Sequence, residues 1–191
     1  GSHLDTQPLG GRFDGILGVL AGLEIVRTLN EAEIRHVKPI DVVCWTDEEG
    51  SRFGAGCVGS NAFVGKRSVA DTLAMEDSEG LTVGEELRRI GYAGTEPVGG
   101  FKVDSFFEIH IEQGPILEKR GLQIGAVEGA QASTGYMVTV TGDEGHAGTL
   151  PMVLRKDAMH GAARMIDRLV SVAFDFEPNP VITDCPNVSA N

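Results

Sequence analysis

The chain is short of cysteine, of basic charge and of long apolar runs, and each shortage removes a class of function. Its three cysteines, Cys44, Cys57 and Cys185, show no paired spacing. No disulfide framework is indicated, and a reducing, cytoplasmic setting is expected. Sixteen Lys and Arg stand against 28 Asp and Glu, a formal net charge of −12. A nucleic-acid binder needs a basic surface to meet phosphates, and an anionic membrane surface is equally unattractive to such a chain. No stretch approaches the roughly 20 apolar residues of a membrane helix, and the start lacks the basic opening and apolar segment of a signal peptide. Gly10-Gly11 and Gly54-Ala55-Gly56 are not phosphate loops, because no Gly-Lys-Ser/Thr follows and no Gly-x-Gly-x-x-Gly opens a helix after a strand. A Gly-x-Ser-x-Gly nucleophile elbow is also missing, which disfavours covalent serine chemistry.

What is present suits a globular α/β protein. The 191 residues allow one domain with a core, or parts of two. Hydrophobic residues make up 41%, and 26 glycines suit tight loops between strands and helices. Residues 15–31 carry Ile16, Leu20, Leu23, Val26 and Leu29 at helical spacing. Ile40–Trp45 reads as a buried strand with Cys44 an internal thiol, and Asp47, Glu48 and Glu49 follow at its C-terminal end, where open α/β sheets place their sites. Residues 50–66 read as a Gly- and Ser-rich loop with short helical turns. Thr82 and Glu85 form a capping box for a helix to Ile90. Phe106–Ile111 reads as a second strand that delivers His110 and Gln113 before Gly114-Pro115 turns into a short helix. The character changes near Gly129: a strand over 136–141, then a helix from about Met152 to Val170, suggests a second, smaller α+β domain.

Acids and imidazoles recur where these elements end. In His3-Leu4-Asp5 the two polar side chains lie on one side of an extended chain. The imidazole can bind a metal, and the Asp can accept its other N–H. Asp14, before Gly15, is either a helix N-cap or a ligand. The adjacent acids Glu48 and Glu49 repel each other unless the turn is solvated or a cation stabilises it. With a cation, Glu49 coordinates, and Glu48 takes a proton from a water on the metal and passes it to the leaving nitrogen. His110 follows apolar strand residues but has Glu112 and Gln113 beside it, which argues for a polar pocket. His146, in a Gly-flanked loop, is either a surface residue or a mobile donor that closes over substrate. His36 and His160 have structural settings. Imidazole with carboxylate suits Zn²⁺, Mn²⁺, Co²⁺ or Ni²⁺. Gly-Ser-His is also what some cleaved affinity tags leave behind, but Leu-Asp-Thr completes a metal motif after it.

Five strings in order, Gly-Ser-His-Leu-Asp-Thr-Gln-Pro, Gly-Gly-Arg-Phe-Asp-Gly, Trp-Thr-Asp-Glu-Glu-Gly-Ser-Arg-Phe, His-Ile-Glu-Gln-Gly-Pro and Gly-His-Ala-Gly-Thr-Leu-Pro-Met, resemble the amidohydrolases that cleave N-carbamoyl groups. These are N-carbamoyl-L-amino-acid hydrolase, β-ureidopropionase and allantoate amidohydrolase, within the dinuclear zinc peptidase and aminoacylase family. The resemblance implies a metallopeptidase-like mixed-sheet catalytic domain, residues 1–129, with an inserted α+β lid and dimerisation domain, residues 130–191. It implies two divalent metal ions, with Zn²⁺ first, bridged by Asp14 and held by His3, His110 and Glu49. Glu48 would be the general acid/base, with Asp5 supporting His3. Gln113 and Asn191 match substrate-contacting positions. His146 matches a lid histidine that reaches the active site from the partner subunit of a homodimer, and Arg155 and Asp157 match the lid helix after it. The resemblance also implies a further ligand His and a carboxylate-binding Arg beyond Asn191. The chain is therefore expected to be a piece of a longer enzyme and inactive alone. The expected reaction is hydrolysis of an N-carbamoyl-L-amino acid, with allantoate and N-carbamoyl-β-alanine as rival substrates. An aminoacylase or dipeptidase, and a metal-free binding module, are the competing functions.

Overall fold

The computed structural model describes residues 1–176, in two compact units: Gly1–Ala126, and a second from Val127 onward. In the first unit β1 (Ser2–His3) pairs in parallel with β2 (Cys44–Trp45), Ser2 opposite Cys44 and His3 opposite Trp45. On the other side of β1 the amino group of Gly1 donates to the Phe107 carbonyl at 3.0 Å, and Ser2 Oγ donates to Glu108 Oε1 at 2.5 Å. Of the expected longer strands, 40–45 is a strand only at Cys44–Trp45, and 106–111 carries no strand assignment. Cys44, expected inside, is exposed.

Helix α1 (Ile16–Glu31) forms where the periodicity predicts it, but turns a different face inward. Gly18 and Val19 are its buried residues, whereas Leu20 and Leu23 remain about half exposed. The reason is backbone proximity. A Cβ on Gly18 would sit 2.5 Å from the Ile109 carbonyl oxygen and 2.7 Å from Ser2 Cβ, so only glycine lets the helix seat this close to β1. Leucine spacing marks an apolar surface but does not say which stripe meets the sheet.

After β2 the chain forms α2 (Val58–Phe63), α3 (Val69–Leu73) and α4 (Val83–Arg89). Val58, Ala62 and Val83 supply apolar core with Val19. Trp45, Phe63, Phe101 and Phe106 make edge-on and tilted ring contacts that tie β2 to α2 and to the 101–106 segment. The expected capping box is present: Thr82 Oγ1 accepts from Glu85 N–H at 3.1 Å, and Glu85 Oε2 accepts from Thr82 N–H at 3.0 Å. Helix α5 (Ile116–Lys119) follows Pro115.

In the second unit a 3₁₀ turn over Met152–Leu154 precedes α6 (Ala158–Ala173). The helix starts later than its apolar spacing suggests because Asp157 caps it, accepting from His160 N–H at 2.9 Å. Residues 136–141, expected as a strand, carry no strand assignment. Among the described residues no helix is long and apolar enough to cross a membrane.

Candidate metal centre

The site in the first unit grows from two polar residues that the fold buries. His3 ends β1 at 2% exposure, and Asp14 lies just before α1 at 3%. Gly15, at φ 67°, makes room for the imidazole: a Cβ there would stand 2.5 Å from the His3 ring. Asp14 does not cap α1, since the cap position is Gly15 and no side chain bonds there. Its Oδ2 accepts from Gln113 Nε2 at 2.8 Å, and its buried Oδ1 has no hydrogen-bond partner.

Two imidazoles face that orphaned oxygen. His110 Nε2 lies 3.2 Å from Asp14 Oδ1, His3 Nε2 lies 3.9 Å from it, and the two Nε2 atoms are 3.4 Å apart. The rings stack with centroids 5.6 Å apart. On their far edges His3 Nδ1 meets the Asp5 carbonyl and His110 Nδ1 the Ile111 carbonyl, both at 2.8 Å. A carbonyl only accepts, so each Nδ1 carries a ring proton, and a ring with that one proton turns the lone pair of its Nε2 inward. In that form two lone pairs and a carboxylate oxygen converge. A divalent cation among them would meet all three at once. The donor set therefore fits a metal ion.

A second trio shares His3. Ligand atoms of His3, Glu48 and Glu49 lie within 4.8 Å of one another, as do those of His3, Asp14 and His110. The acids sit on a loop tied to the start of α2. Carbonyls of Thr46, Asp47 and Glu48 accept from the N–H groups of Gly59, Val58 and Cys57 at 2.9, 3.1 and 2.7 Å. Asp47 and Cys57 both have left-handed backbone, φ 46° and 57°, the kind of local strain that collects at functional sites. Glu48 Oε2 lies 3.6 Å from His3 Nε2, and its Oε1 accepts from the Cys57 thiol at 3.5 Å. Burial first, then the Glu48 carboxylate, pushes that thiol's pKa up, which keeps it a donor. Burial and the nearby Asp5 carboxylate likewise raise the Asp47 carboxyl.

Asp5 differs from its expected part. It meets the His3 ring through its backbone carbonyl, while its Oδ1 stays 3.6 Å from Nδ1. Its Oδ2 instead accepts from the Glu49 N–H at 3.0 Å. Gln7, which no motif argument singled out, donates through Nε2 to both the carbonyl and Oε2 of Glu49, at 3.1 and 2.9 Å. The signal was available: residues 3, 5 and 7 follow the period of two that puts His3 and Asp5 on one side.

The fold thus gathers His3, Asp5, Asp14, Glu48, Glu49, His110 and Gln113. His146 belongs to the second unit. Its Nδ1 accepts from the Gly148 N–H at 3.0 Å, which leaves the ring proton on Nε2. Arg155 holds that loop by donating to the carbonyls of His146, Ala147 and Leu150 at 3.0, 2.7 and 3.1 Å. Asn191 lies outside the described residues.

Known proteins are similar to this chain over most of its length. An N-carbamoyl-L-amino-acid amidohydrolase of Rhizobium meliloti is 47% identical over 95% of this chain and 44% of its own length. An allantoate deiminase of Arabidopsis thaliana is 38% identical over 90% of this chain and 34% of its own length. The crystal structure of an amidase of the hydantoinase/carbamoylase family from Burkholderia multivorans matches at 43% identity with a TM-score of 0.76, over 93% of this chain and 43% of that one. The chain spans less than half the length of these relatives, and the likeness supports a metallopeptidase-like α/β fold. The family description that matches, over residues 1–189, is Peptidase family M20/M25/M40. The match over residues 1–189, with relatives up to 47% identical over 95% of the chain, makes this chain a member of that family.

Proposed function

We propose that the protein bearing this chain is a metal-dependent amidohydrolase that cleaves the carbamoyl C–N bond of N-carbamoyl-L-amino acids, releasing amino acid, CO₂ and ammonia. One observation carries the reading: the inward-facing Nε2 atoms of His3 and His110 and the orphaned Oδ1 of Asp14. Two divalent ions, Zn²⁺ first, would be held by His3, His110, Asp14 and Glu49. Asp14 would be shared between the two, as the family resemblance implies. When bound, such ions polarise the carbamoyl oxygen and acidify a water.

The chain's own residues do the remainder. Glu48 takes the proton of the attacking water and returns it to the departing nitrogen. The Asp5 carbonyl fixes the His3 tautomer. Gln113 and Asn191 orient the substrate. His146, with its proton on Nε2, donates to the oxygen on which charge develops. The region 130–191 acts as a lid and dimerisation domain, through which His146 serves the site of a second subunit. The odd count of three cysteines without paired spacing supports a reducing, cytoplasmic setting.

The likeness to allantoate deiminase favours allantoate as the alternative substrate. An ammonia-release assay of the whole protein, loaded with Zn²⁺ and offered N-carbamoyl-L-amino acids, allantoate, N-carbamoyl-β-alanine and N-acetyl-amino acids, decides among them. Ammonia from the first and none after chelation is expected. Cleavage of the acetyl compounds alone would place the protein with the aminoacylases.

A further inference from the structure

We propose that Gln7 is a positioning residue for Glu49 and sets how tightly the ion on the Glu48–Glu49 side is held, an inference that rests on Glu49 being a ligand as proposed above. Gln7 Nε2 lies 3.1 Å from the Glu49 carbonyl oxygen and 2.9 Å from Glu49 Oε2. Both partners only accept, so the amide must turn its NH₂ end to them, and its two N–H bonds serve one each. Two residues earlier, Asp5 Oδ2 accepts the Glu49 backbone N–H at 3.0 Å. The segment that begins with His3 therefore grips Glu49 at its backbone N–H, its carbonyl and one carboxylate oxygen, across more than forty positions of sequence.

The chemistry of the grip matters. A half-exposed glutamate samples several rotamers, and fixing one of them lowers the cost of coordination. A hydrogen bond to Oε2 leaves Oε1 and the remaining lone pair of Oε2 for a cation. A neutral amide donates without bringing charge. A lysine or arginine at this point would compete with the ion for the carboxylate, and a glutamate would repel it. Outer partners of this kind typically alter metal affinity 10- to 100-fold, by the general behaviour of ligands held by a second layer of hydrogen bonds.

The test is a competitive titration of the whole protein that bears this chain, stripped of metal, with buffered Zn²⁺, reading the dissociation constant of each ion. Gln7→Met keeps the length and removes the donors. It is expected to weaken one ion about 10- to 100-fold and leave the other within about twofold, the unchanged ion reporting an intact fold. Gln7→Lys, which keeps a donor and adds charge, should weaken the same ion at least as much. Glu49→Gln is the control for the underlying reading and should lose that ion. If Gln7→Met binds both ions as the unsubstituted chain does while Glu49→Gln loses one, the role of Gln7 is overturned and the ligand set stands. If Gln7→Met weakens both ions alike, its role is general to the fold and the proposal is likewise overturned. If Glu49→Gln keeps both ions, the ligand reading itself fails and takes this inference with it.

Discussion

Each of the two imidazoles at the centre is fixed by a backbone carbonyl rather than by an acid. His3 is held by Asp5 and His110 by Ile111, both at 2.8 Å, so the tautomer is set by main chain that no substitution of Asp5 removes. Replacement of the Asp5 side chain acts instead on the Glu49 backbone. Glu48 stands apart from these holding roles. It is about one-third exposed and reaches His3 at 3.6 Å, placed to exchange protons with water. Glu48→Gln is expected to lower kcat by about 10²- to 10⁴-fold while metal content, read by elemental analysis, stays unchanged. A variant that turns over normally would remove Glu48 from the reaction. The strings around Glu48 and His110 mark them as candidates in sequence. The partners of each ring nitrogen were not legible there, because backbone carbonyls carry no residue-type signal.

At the scale of elements, the loop after β2 is the piece that aims both acids. Arg52, just past them, reaches Asp77 at 2.9 Å and Glu86 of α4 at 2.7 Å, and Arg89 adds two bonds to Glu86 at 2.7 Å. Arg89 first and Arg52 second hold the Glu86 carboxyl at about 2, against an ordinary 4.5. A carboxyl with its pKa lowered on folding adds stability above its unfolded value, and the contribution is lost as pH falls from about 4.5 toward 2. The thermal midpoint should therefore drop across that interval, and Arg89→Ala should show a shallower drop when midpoints are measured at successive pH values. Equal slopes would mean that the fork does not depress Glu86. The capping box at Thr82 was readable from spacing alone, since its partners are three residues apart. The Arg52 anchor was not, since its partners lie 25 and 34 positions away.

At the scale of the whole molecule, buried polar groups rival the apolar core among the described residues. His3, Asp14, Ser2, Thr72 and Glu86 are buried beside Val19, Val58, Ala62 and Val83. An unsatisfied carboxylate oxygen in such a place is destabilising until something meets it. Binding of an ion should thus couple to folding. Zn²⁺ at a free concentration a hundredfold above its dissociation constant is expected to stabilise the folded chain by about 2.7 kcal/mol. Differential scanning calorimetry with and without a chelator reads this directly, and an unmoved midpoint would deny that the centre holds metal in the folded state.

The sequence by itself determined the helices with caps or strong periodicity, the family resemblance and the residue types that chelate, because these are local patterns or contiguous strings. Only the tertiary structure decided which face of α1 meets the sheet, that Asp14 keeps one oxygen unpaired, that Asp5 turns its carboxylate to Glu49, and that Gln7 joins them. Those outcomes depend on how closely backbones approach and on partners dozens of positions apart. Glycine at 18 and 15 permits that approach, and the leucine pattern conceals it.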